Sequence, residues 1–250
     1  MASLLPNPLV KILFIIVNTY SAYKSNCPPR PPADKSEIKK YRERKDTSDS
    51  LTPVARITVP ILMITIFSFA VCDIYTIVYA VYPALRVPLL HNLILPSPAV
   101  APKVSNFYLS TPFVWGSVML WMGTFIRWLC YRTLGRHFTF ELSLQKEHRL
   151  VTEGPYSLVR HPSYLGYIFV AAGMVTTQLL SPGTWWVESS MWQTWQGKVF
   201  GTYWLGFSSY VTYMLLSRVP KEDLMLRIEF KEQWLSWSRK TKYAVIPFIW

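Results

Sequence analysis

HRLVTEGPYSLVRHPSYLGYIFVAAGMVTTQLL, residues 148–180, divides into two halves of opposite chemistry. His148, Tyr156, Arg160, His161 and Tyr164 crowd the first half, and the second reads onward without charge to about Leu180. Ionisable side chains gathered at the mouth of a membrane helix mark a ligand site or a substrate path more often than chance allows. Solvation alone does not require so many different donors. Gly154-Pro155 punctuates a turn, and Pro162 stands where a following helix takes its first turn, a position that tolerates the missing N–H. Arg160-His161-Pro162-Ser163 thus caps an apolar helix, and free backbone donors there, with Arg160 beside them, suit a carboxylate or phosphate. Contact with lipid headgroups is the competing reading of the same residues.

Working outward, the chain is 51% hydrophobic yet carries a formal charge of +12, so its apolar residues must be segregated into blocks. The blocks run Leu4–Tyr23, Val54–Tyr82, Phe107–Tyr131, Tyr164–Leu180 and Val199–Leu216. Each is near the ~20 residues that cross about 30 Å of hydrocarbon. The expected fold is therefore all-α: a polytopic integral membrane protein with about five transmembrane helices. The second block exceeds one span, which fits a tilted helix or a helical hairpin shared with Ala84–Leu95. Most of the 26 Lys and Arg fall in Pro28–Pro53, Arg132–Ser163 and Ser217–Trp250, whereas the other connections hold only Arg86, Lys103 and Lys198. With five spans the three rich segments share a face, which the positive-inside rule makes cytosolic, with the N-terminus across the membrane. Charges split across loops in this way argue against a nucleic-acid footprint. The first block lacks a basic leader and is interrupted by Lys11, the pattern of a retained anchor rather than a cleaved signal peptide.

The connections add less chemistry. CPPRPP and KSEIKKYRERKDTSDS in 27–50 are too polar and mixed in charge to bury a core, and read as a cytosolic linker that touches anionic lipid at most. Trp185, Trp186, Trp192 and Trp195 crowd the connection after the fourth span, as in an interfacial aromatic belt. Cys27, Cys72 and Cys130 are odd in number and widely spaced, indicating neither a disulfide framework nor a zinc site. No GxGxxG follows a strand pattern, and there is no Walker loop, HExxH or GxSxG, so the commonest dinucleotide, phosphoryl-transfer, zinc-protease and serine-hydrolase arrangements lose support. The four His are far apart, and no metal is expected.

A second polar cluster follows the fifth block. In SRVPKEDLMLRIEF, Arg218 and Glu222 share a face if the helix continues, and Asp223 adjoins. Such a pair is commonly a surface salt bridge worth ~0–1 kcal/mol. Here it emerges on the same side as the His148–Tyr164 cluster. Downstream, Leu226, Phe230, Trp234 and Trp237 recur at helical spacing with Lys231, Glu232, Arg239 and Lys240 on other faces, the pattern of a cytosolic amphipathic helix in the interface.

At these residues the chain closely resembles the isoprenylcysteine carboxyl methyltransferase family, within a wider group of membrane methyltransferases. The resemblance covers roughly 135–248 and rests on HRLVTEGPY at 148–156, RHPSYLG at 160–166, RVPKED at 218–223 and IPFI at 246–249. It implies S-adenosylmethionine as methyl donor, held by His148, Leu150, Val151, Tyr156, His161, Pro162, Ser163, Tyr164 and Glu222, with Arg149 contributing backbone only. Arg218 would face the substrate, so Arg218 and Glu222 are the implied catalytic residues. A Gln that touches the cofactor upstream in the family has no counterpart at the same spacing, leaving Glu141, Ser143 and Gln145 as alternatives. Asp223 replaces the second Glu of the family's acidic pair.

The implied division is an N-terminal membrane region, 1–131, with three spans and the basic linker 28–53, followed by a methyltransferase core, 132–250. The implied reaction methylates the C-terminal carboxylate of prenylated CaaX proteins at the cytosolic face of the endoplasmic reticulum, with lipid as neighbour and without metal. Two alternatives stand beside it. Methylation of a phospholipid amine or other small lipophile would demand a general base, with His161 or Glu222 as candidates. A non-enzymatic lipid-binding paralogue would need no cofactor.

Overall fold

A computed structural model describes residues 7–27, 51–95, 103–135 and 149–249, and every regular element among them is helical. The α-helices among them are α1 (Pro8–Asn26), α2 (Leu51–Val81), α3 (Pro88–Ile94), α4 (Thr111–Leu134), α5 (Pro162–Val175), α6 (Trp185–Glu188) and α7 (Trp195–Lys240). Three stretches among the described residues are long and apolar enough to cross a membrane: Ile57–Val81, Thr111–Leu134 and Pro162–Glu188. The second apolar block is one long helix rather than a hairpin, since α3 has only seven residues. α1, which carries Lys11, and α7 are not among the three. Linker residues 28–50 lie outside the described residues.

The chain forms two compact units. The first comprises Met1–Tyr23, Leu62–Trp121 and Phe169–Tyr210. Its core is built from Ile66 and Phe69 of α2, Leu120 of α4, Val170 and Met174 of α5, and the indoles of Trp185, Trp186 and Trp204. Small residues bring α4 and α5 together: a Cβ on Gly173 would stand 2.6 Å from the Gly116 carbonyl oxygen. Backbone approach of this kind is how helices pack when lipid offers no hydrophobic drive between them. Several polar groups buried in this unit are paired. Lys11, 0% exposed, donates to the carbonyls of Gly183 and Tyr108, Asn18 Nδ2 donates to Ser117 Oγ at 2.8 Å, and Asp73 accepts the Trp185 N–H. The last contact corrects the aromatic-belt expectation. Trp185 and Trp186 are buried because Asp73 anchors the start of α6 and turns both indoles onto Phe69; Trp195 is the exposed member, at 72%.

The second unit comprises Lys24–Ile61, Met122–Ile168 and Val211–Trp250. A turn at Gly154–Ser157 precedes α5, and Gly154 has φ +59, a left-handed conformation that glycine adopts without strain. α5 begins at Pro162, as the sequence predicts. α7 contains Pro220 and is broken at Lys231, whose φ of 44 and ψ of −113 are not helical. The amphipathic stripe is therefore not one straight helix. Leu226, Trp234 and Trp237 nonetheless share a cluster with Cys130, Tyr156, Leu150 and Val151. A neighbouring cluster packs Val219 against Ala244 and Val245 of the segment after α7.

Candidate active site

Pro162 fixes the first turn of α5, so the residues on either side of it project from a defined helix start. His161, just before the turn, is buried; its ring Nδ1 lies 3.2 Å from Glu222 Oε2 and its Nε2 lies 3.0 Å from Asp223 Oδ1. Tyr164, one turn on, donates its hydroxyl to Glu222 Oε1 at 2.6 Å. Arg218, one turn before Glu222 on α7, is buried and places Nε 2.8 Å from the same oxygen, in ion-pair contact without a well-aligned hydrogen bond. His161, Tyr164, Arg218 and Glu222 therefore converge. Both Glu222 oxygens are engaged, which makes this carboxylate the hub of the cluster rather than a surface ion-pair partner.

The charges follow from that geometry. Burial pushes the His161 pKa down, but hydrogen bonds and charge from Asp223 and Glu222 outweigh it and take the imidazole to about 9. With an acid at each ring nitrogen, both nitrogens act as donors, so His161 is an imidazolium near neutral pH. Burial raises the Glu222 carboxyl, yet the Arg218 charge and the His161 and Tyr164 contacts hold it below its ordinary value. Asp223 is likewise lowered, burial being outweighed by His161 and Arg160. Tyr156, buried beside this group, has its phenol pushed well above 10 by burial, so it stays a neutral donor.

Three of the other expected residues share one apolar cluster. Leu150, Val151 and Tyr156 form an apolar wall with Trp234 and Trp237, and Trp237 Nε1 donates to the Tyr156 carbonyl at 3.1 Å. Arg149 is exposed. Ser163 accepts from a guanidinium that the sequence reading overlooked: Arg127 of α4, 3% exposed, reaches Ser163 O at 3.1 Å, Ser163 Oγ at 3.2 Å and the Ser25 carbonyl at 2.9 Å. A lone cation in an apolar span was the available signal. Arg160 has protein partners in this arrangement. Its guanidinium is spent on Asp223 and on the carbonyls of Thr241 and Lys242, because the chain after α7 returns beside the start of α5. His148, with Glu141, Ser143 and Gln145, lies outside the described residues.

Trp234 Nε1 is buried in this wall and has no acceptor among the described residues. An orphaned buried donor is a position that a polar ligand atom would satisfy. No group of three His, Cys, Asp or Glu able to hold a metal converges among the described residues.

Comparison with known proteins points the same way. The model of the isoprenylcysteine carboxyl methyltransferase family matches residues 116–195. Protein-S-isoprenylcysteine O-methyltransferase B of Arabidopsis thaliana is 27% identical over 148 residues, 58% of this chain and 60% of that protein. Probable protein-S-isoprenylcysteine O-methyltransferase of Oryza sativa subsp. indica is 31% identical over 136 residues, 54% of this chain and 60% of that protein. Protein-S-isoprenylcysteine O-methyltransferase of Saccharomyces cerevisiae is 38% identical over 82 residues, 31% of this chain and 33% of that protein. The chain thus spans about 60% of the length of the plant relatives it matches. No solved structure matches it. Residues 116–195 are thus similar to the isoprenylcysteine carboxyl methyltransferase family, and the relatives matched carry that family's name.

Proposed function

We propose that this protein transfers a methyl group from S-adenosylmethionine to the C-terminal carboxylate of prenylated CaaX proteins, at the cytosolic face of the endoplasmic reticulum membrane. The observation that carries the reading is the convergence of His161 and Tyr164 with Arg218 and Glu222. The wall of Leu150, Val151, Tyr156 and Trp237 and the unpaired Trp234 donor suit an adenosine-bearing ligand with polar edges. Bound there, the cofactor supplies a methyl on a positively charged sulfur, open to in-line displacement. His148, Leu150, Val151, Tyr156, His161, Pro162, Ser163 and Tyr164 would hold it, with Glu222 as the nearby anion.

The charge balance favours a carboxylate over an amine as nucleophile. Arg160, Arg218 and the His161 imidazolium face Glu222 and Asp223, leaving the cluster with surplus positive charge. A prenylcysteine carboxylate has a reference pKa of about 3.5 and is already ionised, so it needs positioning and partial desolvation rather than a base. Arg218 would supply the positioning through charge-assisted hydrogen bonds. An amine must first lose a proton. His161 has no lone pair to accept it, and Glu222, held ionised by three partners, is a weak base. In this reading α1 and the first part of α7 join the three apolar stretches to make five crossings, the basic segments face the cytosol, and 132–250 forms the methyltransferase core. The residues after the Lys231 break lie in the interface.

The test is incubation of purified protein with labelled S-adenosylmethionine and either N-acetyl-farnesylcysteine or phosphatidylethanolamine. Label should enter the farnesylcysteine. Transfer to the phospholipid alone would replace this reading with amine methylation.

A further inference from the structure

We propose that Arg160 and Asp223 are positioning residues that couple the segment Thr241–Ile246 to His161, so that docking of this segment sets the methyl-donor site. The inference rests on the cofactor reading above and concerns how that site is held. Arg160 sends Nε and Nη2 to Asp223 at 3.0–3.3 Å, and Nη1 to the carbonyls of Thr241 at 3.0 Å and Lys242 at 2.6 Å. Its own backbone N–H donates to the Tyr243 carbonyl at 3.0 Å, and the next N–H, of His161, donates to the Ala244 carbonyl at 2.7 Å. Ala244 and Val245 are buried against Val219. Four consecutive carbonyls of one segment are therefore gripped by two consecutive residues.

Asp223 is the shared node. One face of its carboxylate takes the Arg160 guanidinium, and Oδ1 also takes His161 Nε2 at 3.0 Å. A displacement of 241–244 would release Arg160, loosen Asp223 and leave one side of the imidazolium without its anion. The charged and titratable groups around His161 are Arg160 on the preceding turn, Tyr164 on α5, and Arg218, Glu222 and Asp223 on α7. Tyr156 stands close by, and the gripped segment contributes carbonyls, its Lys242 side chain being exposed. Asp223 and Glu222 together hold the imidazolium against a burial effect of opposite sign. Among the described residues, Asp223 is thus the acid that answers both to the segment and to the site.

The experiment titrates the full chain in detergent with S-adenosylmethionine across pH, for wild type, Asp223→Asn, Asp223→Glu and Arg160→Lys, and follows hydrogen exchange of residues 241–246. Asp223→Asn keeps an acceptor but removes the charge, so the alkaline limb of binding should move to lower pH by at least about one unit. Exchange in 241–246 should rise in the same variant. Asp223→Glu should restore both, which loss of a merely structural contact would not predict. Arg160→Lys cannot span the four acceptors, and should raise exchange in the segment and weaken binding by about tenfold or more. Normal binding by wild type with Asp223→Asn superimposable on it at every pH would overturn the coupling alone. A wild type that binds no S-adenosylmethionine would overturn the cofactor reading with it. Should Asp223→Asn fail to fold, unchanged exchange at 241–246 in Arg160→Lys overturns the proposal.

Discussion

Arg218 and Glu222 are one helical turn apart, an ordinary spacing for a surface pair, yet Arg218 is buried and Glu222 holds three side chains at once. The two should fail differently. Arg218→Lys keeps a charge but loses the planar fork, so catalytic efficiency toward farnesylcysteine should fall at least about tenfold, ~1.4 kcal/mol, with cofactor affinity little changed. Glu222→Gln keeps one acceptor oxygen but removes the negative charge that His161 and Tyr164 share, so S-adenosylmethionine affinity itself should fall. Methyl-ester kinetics and cofactor titration on both variants separate these outcomes; near-normal values in both would reduce the pair to one worth ~0–1 kcal/mol. Residue types and local spacing made this pair, Pro162 and Tyr164 legible in the sequence. The partners of Arg160 were not legible, because the acceptors at 241–244 reach it only through the return of the chain after α7. Arg127 escaped for a related reason: its acceptor Ser25 lies on α1, 102 positions away, so the sequence shows a cation within an apolar span but not what that cation binds.

Among the elements, the motif RHPSYLG now has a physical reading at nearly every position. Arg160 grips the segment after α7, His161 meets the acids, Pro162 starts α5, Ser163 accepts from Arg127, and Tyr164 donates to Glu222. Gly166 completes the set. A Cβ there would stand 2.9 Å from both the Gly123 carbonyl oxygen and Arg127 Cγ, so only glycine lets α5 approach α4 closely enough for Arg127 to reach Ser163. Gly166→Ala should therefore cost about 1–3 kcal/mol of stability, read as a lowered thermal midpoint, since backbone must shift to admit the methyl group. An unchanged midpoint would show that the helices do not meet there. The downstream stripe was only half legible. Periodicity correctly grouped Leu226, Trp234 and Trp237, but it carried no sign of the break at Lys231, a residue without the φ > 0 preference of glycine or asparagine.

For the whole molecule, helical class and membrane character followed from the segregation of apolar blocks, and among the described residues three of the five expected blocks meet the length and apolarity of a span. The connection after the fourth block was misread because composition counts indoles without revealing that Asp73 draws Trp185 inward. The charge cluster also gives a pH signature. The folded pKa of His161 is raised from 6.5 to about 9, so its stabilising contribution is complete below 6.5 and is lost as pH rises through about 9. Glu222 and Asp223 are lowered from 4.5 and 3.8, so their contributions are present above those values and lost as pH falls through the depressed ones. Thermal stability in detergent should form a plateau between 4.5 and 6.5 and decline toward 9; a midpoint still rising across that alkaline range would contradict the charged state assigned to His161. The carboxylate as methyl acceptor is tested by comparing methyl transfer to N-acetyl-farnesylcysteine with transfer to the same compound bearing an amidated carboxyl group. Base-labile label, released as methanol, is expected from the free carboxylate and none from the amide. Equal labelling of both compounds, or none of either by folded protein, would contradict it.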